Sequence, residues 1–139
     1  MNKILLIGCG HMGSALLKAW SSYTNYAYTV IDPIQFGKIK KNYSKKIKAF
    51  DSVEKLKNLN SFNKIIFAVK PQTLQDVLIN LQLYSLNNKV IFVSIVAGKK
   101  ISFYNQFLPK KNQLIRVMPN MPSLINSGMS CLVPNKNVL

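Results

Sequence analysis

Gly8, Gly10 and Gly13 stand in the spacing G-x-G-x-x-G within GCGHMG, directly after the apolar run ILLI and directly before a stretch of helical periodicity. A strand that turns into a helix through this spacing can offer backbone amides to a pyrophosphate. Gly8 permits the tight turn, Gly10 lets backbone approach the anion, and Gly13 lets the helix pack close to the strand. Asp32 follows nineteen residues after Gly13, at the end of a second apolar run, where a carboxylate can accept hydrogen bonds from the adenosine ribose hydroxyls of a dinucleotide. Each feature also has a plainer reading, a tight turn that binds nothing and an Asp-Pro turn. Together they point to a nicotinamide dinucleotide. A carboxylate at Asp32 repels a 2′-phosphate and favours NADH, whereas Lys38, Lys40 and Lys41 nearby could compensate and admit NADPH, so both cofactors stand open.

Other reactive residue types are sparse. Cys9 and Cys131 match no metal-ligand spacing and no secreted disulfide framework, so they read as structural thiols in a reducing compartment. His11 has no cysteine or acidic residue at ligand spacing and reads as a solvated group at the start of the helix; no metal site is expected. The formal charge of +15 would attract any polyanion. Base readout and phosphate clamping favour arginine, however, and here Arg116 stands alone among scattered tyrosines, so no nucleic-acid partner is expected. No apolar run reaches the roughly 20 residues that span a bilayer, and MNKILLIG lacks a small-residue cleavage site. No membrane partner and a cytoplasmic location are the expectation.

The elements that must position these residues alternate along the chain. Strands are expected at Lys3 to Ile7, Tyr28 to Ile31, Lys64 to Val69, Val90 to Ser94 and Leu114 to Val117, with a weak strand at Ile47 to Phe50. Helices are expected at His11 to Ser21, Ser52 to Leu59, Thr73 to Leu83 and Ile101 to Phe107, with a short one in the lysine-dense stretch from Ile34 to Lys48. The segment after Met118, with Pro119, Pro122 and Pro134, reads as loop, and with it comes the apolar run Met129 to Val133. This alternation implies an α/β fold, a Rossmann-type doubly wound, mostly parallel sheet in a single domain of residues 1–139.

Two later segments narrow the reading. FAVKPQ closes the fourth strand at residues 67–72, and SIVAGKKI at 94–101 precedes RVMPNMP at 116–122. With the glycine turn, they resemble pyrroline-5-carboxylate reductase over nearly the whole chain. The resemblance implies reduction of 1-pyrroline-5-carboxylate to L-proline by hydride transfer from NADPH or NADH to the imine carbon. It also implies roles for particular residues. Ile7, Gly8, Gly10, His11, Met12 and Gly13 would line the pyrophosphate, Asp32 the ribose, Ala68, Val69, Lys70 and Pro71 the nicotinamide side, and Val96 and Ala97 the ring, with Met118 and Asn120 bordering the substrate. The residues themselves fit this more loosely: Pro71 ends a strand at the carboxyl edge of the sheet, Gly98 allows backbone near a flat ring, and Lys70 is either an anion partner or a solvated strand-end lysine.

Members of that family continue into a helical domain that dimerises and completes the substrate pocket. The present chain lacks that domain, so it is expected to be the cofactor-binding half, with homo-oligomerisation a property of the longer members. Two other readings stand beside it: a non-catalytic NAD(H)-sensing regulatory module, which would not require RVMPNMP, and another imine or β-hydroxyacid dehydrogenase, for which a longer glycine-rich stretch than SIVAGKK is expected.

Overall fold

The innermost strand, β1 (Asn2–Ile7), runs between β2 (Tyr26–Ile31) and β4 (Lys64–Phe67), parallel to both. Its run of four buried apolar residues reflects helices on both faces of the sheet. Alternate side chains go to opposite sides, as the two-residue period of a strand requires. Leu5 and Ile7 join one core with Ile65, Phe67 and Phe92, whereas Ile4 and Leu6 join the other with Val30, Ile66 and Leu17. Each fully buried side chain of this kind contributes about 1.5–3 kcal/mol of transfer free energy.

The computed structural model describes residues 1–43, 45–119 and 129–138. Its sheet has the order β3-β2-β1-β4-β5-β6-β7, where β3 is Ile47–Phe50, β5 is Ile91–Ser94, β6 is Gln113–Pro119 and β7 is Ser130–Pro134. The first six are parallel and β7 returns antiparallel to β6. Helices α1 (His11–Trp20), α2 (Phe36–Tyr43), α3 (Leu74–Leu81) and α4 (Ile101–Tyr104) connect parallel neighbours. This is the Rossmann-type doubly wound fold. The chain steps outward from β1 to β3 in one direction and from β4 to β6 in the other, which opens a crevice at the carboxyl ends of β1 and β4.

Three expectations are corrected. The segment from Ser52 to Leu59 is not a helix but two single 3-10 turns, Val53–Lys55 and Leu59–Ser61. Val53, Leu56, Leu59 and Phe62 pack into one core at intervals of three, the period of a 3-10 turn, and the Asn58 side chain accepts the Asn60 N–H (2.9 Å) to start the second turn. Pro119 and Pro134, expected in loop, are the last residues of β6 and β7, and Ser130–Pro134 pairs with β6, with Cys131 opposite Met118. The α-helix expected to Phe107 ends at Tyr104 and continues as turns to Leu108.

Candidate functional site

The turn after β1 is constrained differently at each of its three glycines. Gly8 has φ +92°, in the left-handed region, and a Cβ there would lie 2.7 Å from the Ala68 carbonyl and 2.8 Å from Cγ1 of Val69. Only glycine fits both constraints. Gly13 is buried in the first turn of α1, where a Cβ would lie 2.7 Å from the Gly8 carbonyl oxygen, so it sets the spacing of helix and strand. Gly10 is exposed, and a Cβ added there meets nothing within 4 Å. The space beside it, at the start of α1, is open. The amides of His11, Met12 and Gly13 precede the first helical bond, from Ser14 N–H to Gly10 C=O (2.9 Å), and no acidic residue stands in the first turn to compete for them. The residues present fit a pyrophosphate.

Asp32 is buried at the end of β2, and its carboxylate holds two pieces of backbone together. Oδ2 accepts the Cys9 N–H (2.7 Å) from the glycine turn, and Oδ1 accepts the N–H groups of Ile34 and Gln35 (both 2.8 Å). With Pro33 following and Phe36 N–H donating to the Asp32 carbonyl (3.1 Å), Asp32 is the cap that starts the turn into α2. The plain Asp-Pro reading of the sequence therefore holds for this residue. It does not exclude a ligand role, since three of the carboxylate's roughly four acceptor positions are used.

A cleft of about 720 Å³ lies over these carboxyl ends. Ile7, Gly8, Gly10, Asp32, Ala68, Val69 and Lys70, all expected site residues, line it. His11 instead lines an adjoining groove between α1 and α2, along with Lys38. Met12, Gly13 and Pro71 do not line the cleft, and Gly13 serves from behind by packing. Val96 is buried in the same apolar cluster as Leu114 and Tyr104 and does not line the cleft, while Ala97 is exposed ahead of Gly98 at φ +74°. Met118 lies half-exposed on β6, outside the cleft lining, with its sulfur 3.6 Å from an Arg116 guanidinium nitrogen. Asn120 lies outside the described residues. Among those residues no cluster of metal-ligating side chains occurs and no helix is long and apolar enough to cross a membrane.

The sequence reading missed the wall formed by Asp51, Ser52, Val53 and Glu54 after β3. Its signal was present, because a residue just past the end of a parallel strand faces the ligand edge of such a sheet, but β3 is short and sits in a lysine-dense stretch. Lys55 Nζ lies 2.7 Å from both Asp51 carboxylate oxygens, and this hydrogen bond and charge hold the Asp51 carboxyl below its usual range. A hydrogen bond from Ser52 does the same for Glu54. Both are anions at neutral pH. On the turn itself, burial and then the neighbouring Asp32 charge push the Cys9 thiol up to about 11.

Residues 3–98 match the family model described as NADP oxidoreductase, coenzyme F420-dependent. A pyrroline-5-carboxylate reductase of Methanosarcina acetivorans is 31% identical over 97% of this chain and 50% of its own length, and that of Escherichia coli is 32% identical over 96% and 49%. The crystal structure of Plasmodium falciparum pyrroline carboxylate reductase with NADP bound superposes with a TM-score of 0.79 and 28% identity, over 99% of this chain and 50% of that one. The chain thus spans about half the length of the relatives it matches. With two-thirds of its residues inside the family model, and with the glycine turn and crevice in place, the chain belongs to the NADP oxidoreductase, coenzyme F420-dependent, family.

Proposed function

We propose that the chain, residues 1–139, is the dinucleotide-binding half of a pyrroline-5-carboxylate reductase that makes L-proline in the cytoplasm. The observation that carries the reading is the open backbone at Gly10 on the cleft, between the strained Gly8 and the close-packed Gly13, in a turn tied to β2 by Asp32. In this reading the amides at the start of α1 hold the pyrophosphate, and the remaining Asp32 acceptor position takes a ribose hydroxyl. Ala68 to Lys70 line the nicotinamide end, which the backbone of Val96 and Ala97 borders, and Met118 and Asn120 border the substrate. The reduced nicotinamide, when bound, supplies a hydride to the C=N carbon, and a proton from solvent completes the amine. The chain's part is to place the dinucleotide, which is most of what such a transfer asks of a protein. The unpaired thiols of Cys9 and Cys131 suit a reducing cytoplasm.

The test is a titration of the chain with NADH and NADPH, with pyrroline-5-carboxylate-dependent oxidation recorded in the same samples. Turnover supports a complete pocket within this chain or across copies of it, and binding without turnover supports a cofactor half. If neither dinucleotide binds, or if Gly10→Val leaves the affinity unchanged in a folded protein, the reading fails.

A further inference from the structure

Four acidic residues stand against nineteen basic ones in this chain, yet three of the four, Asp32, Asp51 and Glu54, line the cleft over the carboxyl ends of β1 and β4. Among the described residues, the one basic residue lining the cleft, Lys70, belongs to the opposite wall, after β4. We propose that this grouping makes the site selective for the unphosphorylated dinucleotide, NAD(H), and that Asp32 and Glu54 exclude the 2′-phosphate of NADP(H). The inference rests on the cofactor reading above.

The placement follows from strand order. β2 and β3 are parallel with Ile31 opposite Phe50, so the next residues, Asp32 and Asp51, leave the sheet side by side. The Asp32 N–H donates to the Phe50 carbonyl (3.0 Å) and fixes that adjacency. An acidic residue at the end of β2 marks the adenosine ribose, so a 2′-phosphate, with about two negative charges at neutral pH, would enter among these carboxylates. Asp32 cannot swing aside, because doing so would break its bonds to the amides of Cys9, Ile34 and Gln35. Lys55 offsets the charge of Asp51, whereas Glu54 is held by the neutral Ser52 hydroxyl and keeps its charge at the rim.

Two of the lysines that could neutralise a phosphate are engaged away from this wall. Lys40 packs over the Phe36 ring, 5.6 Å from its centroid, and Lys38 lines the groove between α1 and α2. The +15 charge of the whole chain attracts both cofactors and favours the more highly charged one at long range. Discrimination against the phosphate is therefore local. It is read most cleanly near 0.15 M salt, where charges farther than about 8 Å are screened.

The experiment is a fluorescence titration of the 139-residue chain with NADH and NADPH at that ionic strength, repeated with AMP and its 2′-phosphorylated analogue. Like-charge contact with even one carboxylate predicts at least about tenfold tighter binding of NADH than of NADPH. Glu54→Lys should move the NADPH-to-NADH affinity ratio up by about tenfold. The same order should hold for AMP over its 2′-phosphate. Equal or tighter NADPH binding by the wild type overturns the inference, as does a ratio indifferent to Glu54→Lys. So does NADPH binding that Lys38→Ala abolishes, which would place the phosphate in the α1–α2 groove. Failure to bind either cofactor overturns the cofactor reading as well, whereas a reversed preference overturns only the selectivity.

Discussion

The backbone N–H of Cys9 donates a 2.7 Å hydrogen bond to Oδ2 of Asp32, joining the glycine turn after β1 to the end of β2. The carboxylate that sequence reading assigns to a ligand thus also builds the turn on which the ligand would rest. On the proposed function, stability and cofactor affinity are coupled at this residue, and its variants should report both.

Asp32→Ala leaves three backbone amides without their charged acceptor and should destabilise the fold by about 2–3 kcal/mol. Asp32→Asn keeps an oxygen for Ile34 and Gln35 but turns its NH2, a second donor, toward the Cys9 N–H, so it loses one of the three bonds and its cost should be smaller. Urea midpoints of the two variants check the order, and a shift below about 0.5 kcal/mol for Asp32→Ala would mean that water replaces the carboxylate without loss.

The three glycines should respond unequally to a single methyl group. Gly8→Ala combines a positive φ with contacts of 2.7 Å to backbone and should cost about 3 kcal/mol or more. Gly13→Ala should also destabilise, since the atom it meets is the Gly8 carbonyl oxygen rather than a flexible side chain. Gly10→Ala meets open space and should stay within about 0.5 kcal/mol of wild type. Thermal unfolding of the three variants separates packing roles from ligand roles.

Beneath the Val96–Ala97 loop, the hydroxyls of Ser94 and Tyr104 share a buried hydrogen bond, and the Val96 N–H donates to the same Ser94 oxygen (3.2 Å). Ser94→Ala strands both groups and should cost about 1–3 kcal/mol, whereas Tyr104→Phe leaves Ser94 in contact with Val96 and should cost about 1 kcal/mol. The double variant should lose less than the sum of the two, because one shared bond is counted in each single change. Additive losses would refute the shared bond.

The Cys9 thiol, pushed up to about 11 by burial and then by Asp32, stays protonated in the folded chain at pH values where the unfolded chain has lost that proton. Folding is therefore favoured fully below 9.0, and this contribution is lost as pH rises from 9.0 through about 11. The tyrosines Tyr28 and Tyr104, raised by burial, act in the same direction. Comparing wild type with Cys9→Ala across that window isolates the thiol, and identical slopes would contradict the assignment. In the native chain at neutral pH, an alkylating reagent should modify exposed Cys131 and spare buried Cys9.

Much of the site was legible from residue types and spacing alone. The unbroken apolar runs marked strands buried on both faces, and the glycine spacing between one such run and a helical stretch marked the turn. Asp32 was recognisable at the end of the next strand. Each of these signals is local, because backbone conformation and face burial leave their period on neighbouring residues. The 3-10 segment after β3 deceived the helix reading, since apolar residues three apart suit either geometry over so short a span.

Sequence by itself determined the alternation of elements and marked the glycine turn and Asp32 as a candidate dinucleotide site. Only the tertiary structure decided which loops meet. The parallel register that sets Ile31 against Phe50 brings Asp51 and Glu54 to the wall of Asp32's cleft, and the pairing of β6 with β7 turns an apolar tail into a strand. Such adjacencies depend on strand order and register between distant segments, and no local periodicity carries them.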